Sequence, residues 1–192
     1  LCYLVSDMLM RTLLPVMLVI FFQLESSAQF KRNQIIMWPV EDSTDKIVFY
    51  ERVNIPGANE DAIYRAAKTY LANTFKSEKD TITSNDNTKS ITCKGAFFIP
   101  VEQLGERGKG YVAFTLLVNC ISNSFYYKLN NLHHFPLTKN CVYGGPLEND
   151  KTISGGMLFP QKYWNEEKAK TFYKIQTTIE QLKETISKNG QG

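Results

Sequence analysis

The sequence predicts an α+β fold, an antiparallel sheet of about five strands with two helices packed on one face. Three observations predict it. A capped amphipathic helix follows the first strand. About four strands then succeed one another at hairpin spacing, as in a meander. A second long amphipathic helix closes the chain. The composition agrees: 192 residues, 43% hydrophobic and 21% charged, with 11 Gly and 7 Pro, are globular proportions that argue against collagen, low-complexity disorder and a multi-span membrane protein. A chain of this size buries roughly two-thirds of its unfolded surface, so it needs no metal or disulfide staple to fold.

The first segment reads as a targeting signal. Met8 and Met10 offer initiator positions, which would leave Leu1–Asp7 upstream of the true start. Arg11 is followed by Leu13-Leu14-Pro15-Val16-Met17-Leu18-Val19-Ile20-Phe21-Phe22 and then by the small residues Ser26-Ser27-Ala28. That charged, apolar, small-residue order is the pattern of a secretory signal peptide, with cleavage expected after Ala28. A spanning helix needs about 20 apolar residues. Asp7 and Arg11 interrupt the longer run, so no stable membrane span is expected after cleavage. No Cys follows the run directly, so a lipoprotein anchor is not indicated. The expectation is export to the periplasm or beyond, where cytosolic ATP, NAD and nucleic acid are not default partners. The remaining chain gains one unit over the full chain's net +3, because Asp7, Glu25 and Arg11 leave together. That balance is mild for a polyanion binder.

Residues 29–45 read as an N-terminal extension, with an edge strand expected near Ile35–Trp38. The domain itself is expected over 46–134. Lys46–Val53 is β-branched and aromatic and reads as a strand, which Pro56-Gly57 ends. Asn59 suits an N-cap, and Glu60 and Asp61 place negative charge in the first turn of the helix behind it. There Ile63, Ala66, Ala67, Tyr70, Leu71 and Phe75 form one apolar stripe. Asp80–Ser84 and Lys89–Ile99 read as a hairpin around the polar turn Asn85-Asp86-Asn87-Thr88. Pro100–Gly110 reads as a loop. Tyr111–Ile121 is the strongest strand, with Val112, Phe114, Leu116, Val118 and Cys120 at period two. Ser122-Asn123 turns the chain into Ser124–Leu132, with Phe125, Tyr127 and Leu129 on one face. His133–Pro160 reads as irregular. Residues 135–192 are assigned as this loop plus a final helix over Trp164–Ser187, where Phe172, Ile175, Ile179, Leu182 and Ile186 recur at three and four. A coiled-coil seam usually needs three or four heptads, so a docked helix is the better reading of two.

The stretch Ile47–Leu132 resembles a family of small exported domains of unknown function from Gram-negative bacteria, described as having a TATA-binding-protein-like (TBP-like) fold. Three pieces carry the resemblance. The first is Val53-Asn54-Ile55-Pro56-Gly57-Ala58-Asn59-Glu60-Asp61-Ala62-Ile63-Tyr64, ending Leu71-Ala72-Asn73-Thr74-Phe75-Lys76-Ser77. The second runs from Ile82 through Asp86 to Ile91-Thr92-Cys93-Lys94-Gly95, and the third from Val118 to Leu129. Tyr70 stands where the family commonly has an indole, and Ser122-Asn123-Ser124 replaces an Asp-Gly type of turn. The resemblance implies the fold and brings no catalytic residues. It does not bring DNA binding either, because function resides in sites and not in folds.

Candidate chemistry is sparse. His133-His134 is the single histidine pair, and on a strand the two would point to opposite faces, so joint ligation of one metal is not expected. His134 and Cys141 are a candidate base and nucleophile. Cys93 and Cys120 fall on neighbouring predicted strands and form a candidate disulfide, against the alternative of buried apolar thiols. Zinc-type C-x-x-C spacing is absent, so no metal and no cofactor is expected. The glycines of Gly144-Gly145-Pro146 and Ser154-Gly155-Gly156 match neither a nucleophile elbow nor a phosphate loop. Glu102 and Glu106 read as solvated charges. Among Tyr50, Phe98, Tyr111, Tyr126 and Tyr173, some rings must lie on the sheet face away from the helices. That face is either a binding surface or is covered by the extension or the 133–160 segment. The leading expectation is therefore a non-enzymatic exported module that binds an envelope protein or glycan, with Tyr50, Phe98, Tyr111 and Tyr126 as its surface. The alternatives are an envelope hydrolase using His133 or His134 with Cys141, and a homo-oligomer formed through the last helix.

Overall fold

Period-two alternation builds the central sheet and leaves two unlike faces. The computed structural model describes residues 36–77, 80–99, 109–139, 142–153 and 160–190. The chain divides into Leu1–Ile35 and Ile36–Gly192, and every described residue falls in the second unit. The predicted leader lies outside the described residues, as do Glu102, Glu106, Cys141, Ser154 and Gly155-Gly156.

The elements run β1 (Val40–Glu41), β2 (Lys46–Ile47), β3 (Phe49–Asn54), α1 (Glu60–Thr74), β4 (Thr81–Asn85), β5 (Ser90–Phe98), β6 (Gly110–Ile121), β7 (Ser124–Pro136), β8 (Gly145–Pro146) and α2 (Gln161–Asn189). Strands β1 and β2 pair with each other. The main sheet has the order β3-β7-β6-β5-β4, with β8 on β7, and every pairing is antiparallel. The meander β4 to β7 stands as expected, and β3 returns to the far edge of β7. The fold class is α+β, with both helices on one face.

That face holds the core. Ile91, Cys93 and Phe97 of β5, Val112, Phe114, Leu116, Val118 and Cys120 of β6, and Phe125, Tyr127 and Leu129 of β7 are all buried. Helix α1 lays Ile63, Ala66, Ala67, Tyr70 and Leu71 over them. Its N-cap is Asn59, whose side-chain oxygen accepts from the Asp61 N–H at 2.7 Å. Helix α2 adds Trp164, Ile175, Ile179, Leu182 and Ile186. It is tied to α1 where the Tyr70 hydroxyl donates to the Thr178 carbonyl at 3.0 Å, and to β3 where Lys183 meets Glu51 at 3.0 Å. Trp38 of the extension packs edge-on against Phe49 and Phe172, beside α2 and not on the opposite sheet face.

Three features differ from the expectation. Lys46–Val53 is two strands, because the Val48 N–H turns to the Pro39 carbonyl and Lys46–Ile47 pairs with β1. The extension's strand is Val40–Glu41, not Ile35–Trp38. The supposed irregular segment begins as strand: β7 continues to Pro136 because β6 offers backbone partners along its full length, down to Gly110 opposite Pro136.

One irregularity in β7 sets which of its side chains meet the helices. Thr115 pairs with Asn130, and Ala113 with His133, so Asn131 and Leu132 together stand opposite Phe114. This is a β-bulge, with Asn131 at φ 56°. Asn tolerates that left-handed conformation better than most side chains. Before the bulge the odd positions 125, 127 and 129 face the helices. After it the even positions Leu132 and His134 do.

Candidate functional site

The sheet face away from the helices carries two groups of rings. At one end Tyr50 of β3 lies beside Tyr126 of β7, centroids 6.2 Å apart. At the other end the row Phe98, Tyr111, Phe135 crosses β5, β6 and β7. Tyr111 stacks on Phe135 at 5.6 Å, and His133 stacks on Phe135 at 4.7 Å. Tyr143, from the segment before β8, leans on both Phe135 and His133 and hydrogen-bonds the His133 ring. Between the two groups the strand registers place Ala96, Ala113, Thr92, Thr115 and Leu117. Tyr50 and Phe98 are 62% and 56% exposed, a large apolar area to leave to water. Among the described residues, Arg52, Lys94 and Lys128 are cations on this face; Lys128 is paired with Glu41 at 3.3 Å and Arg52 donates to Ser124 Oγ at 3.1 Å.

All four rings expected on this surface therefore lie on it, and Tyr173 does not. It sits on α2, against Phe172. Phe135, His133 and Tyr143 belong to the same surface and were not expected there. The missed signal was the bulge: simple alternation from Phe125 would have turned His133 inward.

The histidines separate as the strand geometry demands. His133 looks out to the aromatic face, and burial lowers its pKa. His134 is 2% exposed and faces α2. Its Nδ1 accepts the Gly144 N–H at 2.8 Å. That fixes the ring's proton on Nε2, which lies 3.1 Å from Oε1 of Glu167. Glu167 is itself fully buried, and neither of its oxygens gains a well-aligned hydrogen bond despite the close nitrogen. Burial pushes the Glu167 carboxyl up to about 8 and the His134 imidazole down to about 4, so at neutral pH both are uncharged. The Trp164 ring stands edge-on to His134 at 6.1 Å. Two glycines make room for the imidazole: a Cβ on Gly110 would sit 2.1 Å from His134 Nε2, and one on Gly144 would sit 2.8 Å from Nδ1. Glu167 escaped the sequence reading. Its signal was a carboxylate in phase with the apolar stripe, three residues after Trp164 and four before the buried Thr171.

The candidate disulfide is corrected. Cys93 and Cys120 are free and buried. Cys93 stands opposite Leu116, four residues along β6 from Cys120, a separation of roughly 13 Å along the strand. A disulfide needs Cα atoms within about 7 Å. Burial pushes both thiols up to about 12, which suits inert core residues. Among the described residues no cluster of three or more His, Cys, Asp or Glu could hold a metal ion. No described helix is long and apolar enough to cross a membrane. The α2 stripe expected to offer an oligomer seam is buried within its own chain, at Ile175, Ile179, Leu182 and Ile186.

Comparison with known proteins agrees with this architecture. Residues 49–135 match a family model described as a domain of unknown function (DUF4468) with TBP-like fold. A TBP-like protein from Parabacteroides distasonis has a crystal structure similar to this chain, with a TM-score of 0.62 at 14% identity, over 79% of this chain and 97% of that one. A DUF4468 family protein from Bacteroides ovatus is similar with a TM-score of 0.56 at 14% identity, over 82% of this chain and 96% of that one. At that identity the two structures speak to the fold alone. No curated protein matches the chain. A strand, a capped helix and a four-strand meander that returns to the first strand thus make up the stretch, residues 49–135, that matches the DUF4468 family of domains with TBP-like fold.

Proposed function

We propose that this protein is an exported, non-enzymatic module of the bacterial envelope, which binds a protein partner through the sheet face opposite the helices. The observation that carries the reading is the pair of ring groups on that face, Tyr50 with Tyr126 and Phe98 with Tyr111, Phe135 and Tyr143. Large aromatic side chains with both apolar area and polar tips are the residues that dominate protein interfaces. Thr, Ala and Leu between them give a surface on which a partner can lie, and Lys94 and Arg52 supply positive charge on it. Export rests on the apolar run after Arg11 and the small residues up to Ala28.

The test is site-directed photo-crosslinking in cells of the native host. A photoreactive residue at the exposed, open-face position Lys94 is expected to give a discrete protein adduct in the envelope fraction. The same residue at Glu184, exposed on α2, is not. The adduct should disappear in the Y50A/F98A double variant. Absence of a Lys94 adduct, or the same adducts from both positions, would refute the surface. An adduct resistant to protease and sensitive to periodate would assign a glycan in place of a protein.

A further inference from the structure

We infer that His134 and Glu167 form a proton-gated clasp, which holds the 142–149 strap between the sheet edge and the start of α2. The strap is anchored at several points, two of which fall on His134, while Glu148 accepts from the Ile47 N–H at 3.1 Å and Tyr143 bonds to His133. Gly144 donates its N–H to His134 Nδ1 at 2.8 Å. Gly145 pairs with His134 along the strand, and the Leu147 N–H donates to the Leu132 carbonyl at 3.1 Å. From the other side, Trp164 Nε1 and Lys168 Nζ both donate to the Asn149 carbonyl, at 2.9 and 3.2 Å. Glu167 lies on the same face of α2 as Trp164 and closes on the imidazole.

The geometry accepts one protonation state. With Nδ1 accepting from Gly144, the ring is neutral and carries its single proton on Nε2, 3.1 Å from Glu167 Oε1 but not aligned on it. If the imidazole takes a second proton, Nδ1–H faces the Gly144 N–H, donor against donor. If Glu167 loses its proton, a buried carboxylate is left without an aligned donor, which is costly. A second proton on His134 would offset that charge, and it again evicts Gly144. Either change works against the strap.

The surrounding charges among the described residues do not substitute for this pairing. On β7, His133 adds to keeping His134 neutral. On α2, Lys170 is the one charge acting to lower Glu167, and it is paired with Glu166 at 2.9 Å. Lys168 is held by the Asn149 carbonyl. In the strap region, Glu148 acts on His133 and Lys168, and Asp150 on Lys168. Lys46 of β2 acts on His133, Tyr143 is bonded to His133, and Lys109 precedes Gly110 on β6.

The pH dependence comes from proton counting. Released, the two groups return to their ordinary 4.5 and 6.5; clasped, they stand at about 8 and about 4. Between 4.5 and 6.5 the clasped form holds one extra proton on Glu167 and lacks one on His134, so closure is level. From 6.5 to 8 it holds one proton more than the released form, and closure weakens about tenfold per pH unit. The protein therefore loosens its strap as the pH rises above 6.5.

Hydrogen exchange of the Gly144 and Leu147 amides, corrected for intrinsic rates, tests this on the full chain. The Leu71 amide of α1 reports global unfolding. Gly144 is expected to be less protected than Leu71 and to lose protection about tenfold per unit above pH 6.5. In E167Q, which keeps the shape of the neutral acid, that loss should vanish, leaving closure that strengthens from pH 4 to 6.5 and then stays level. Nitrogen chemical shifts of His134 should show a neutral ring protonated at Nε2 at pH 7. Gly144 protection that is unchanged between pH 6.5 and 8, or that equals that of Leu71 throughout, would overturn the clasp. So would an unaltered alkaline loss in E167Q, or an imidazolium signal at pH 7. If E167Q does not fold, the wild-type titration and the His134 shifts decide alone.

Discussion

His134 shows how far a single side chain's environment can depart from what its type suggests. Its ring is held between two glycines, a tryptophan edge and a neutral carboxyl, and space is the tightest constraint. Gly110→Ala would place a methyl 2.1 Å from Nε2, and the nearby Phe135 carbonyl would resist a backbone shift. The expected outcome is a loss of about 1–3 kcal/mol in denaturant unfolding. The thiols test burial at the same scale. In a chain with Cys2 and Cys141 replaced by Ser, Cys93 and Cys120 should react with a thiol reagent only at the rate of unfolding, because both are buried and held as thiols. Fast labelling of the native protein would contradict the core placement. At this scale the sequence identified the residues better than their partners. It marked the histidines, the cysteines and Tyr50, Phe98, Tyr111 and Tyr126. It did not mark Glu167, since a carboxylate on a helix is normally solvated, and only packing against β7 removes it from water.

Among the elements, β7 carries the most consequence per residue, through Asn131. The bulge reverses which side chains face the helices, sending His134 inward and His133 outward. Asn131→Val puts a β-branched residue at positive φ and is expected to destabilise by about 1–2 kcal/mol, while Asn131→Gly should be near neutral. Equilibrium unfolding of the two variants checks the difference. The helices are the more legible elements. Asn59 caps α1 as its sequence suggests, and Asn59→Ala should lower stability by about 1 kcal/mol. The spacing of Ile175, Ile179, Leu182 and Ile186 announced α2, although the helix begins three residues earlier than the apolar pattern implies, at Gln161. Pro160 immediately before it suits that start, since proline's missing N–H is no loss at a helix N-terminus.

For the molecule as a whole, α2 completes the core, while on the opposite sheet face Tyr143 and Glu41 reach part of the surface and Tyr50 and Phe98 stand exposed. Leu182 is fully buried in its own chain, so Leu182→Ala is expected to lower stability by about 2–5 kcal/mol with no change in the mass measured by light scattering. A change in mass would restore the last helix as an association surface. The two faces of the sheet are chemically unlike. One is a continuous apolar core beneath the helices. The other alternates exposed rings with Thr, Ala and Lys, and it is where the proposed partner would lie.

The amino-acid sequence by itself determined the α+β class, the order of the main strands and helices, the N-cap of α1 and the resemblance to a TBP-like domain. These arise from short-range patterns: period two, period 3.6, turn residues and a cap are all written within a few neighbours. The tertiary structure alone decided the strand register, and with it that Cys93 stands opposite Leu116 and not Cys120. It alone decided the bulge at Asn131, and the meeting of His134 with Glu167 across 33 positions of chain. Register and burial depend on which distant surfaces exclude water together, and no local pattern carries that information.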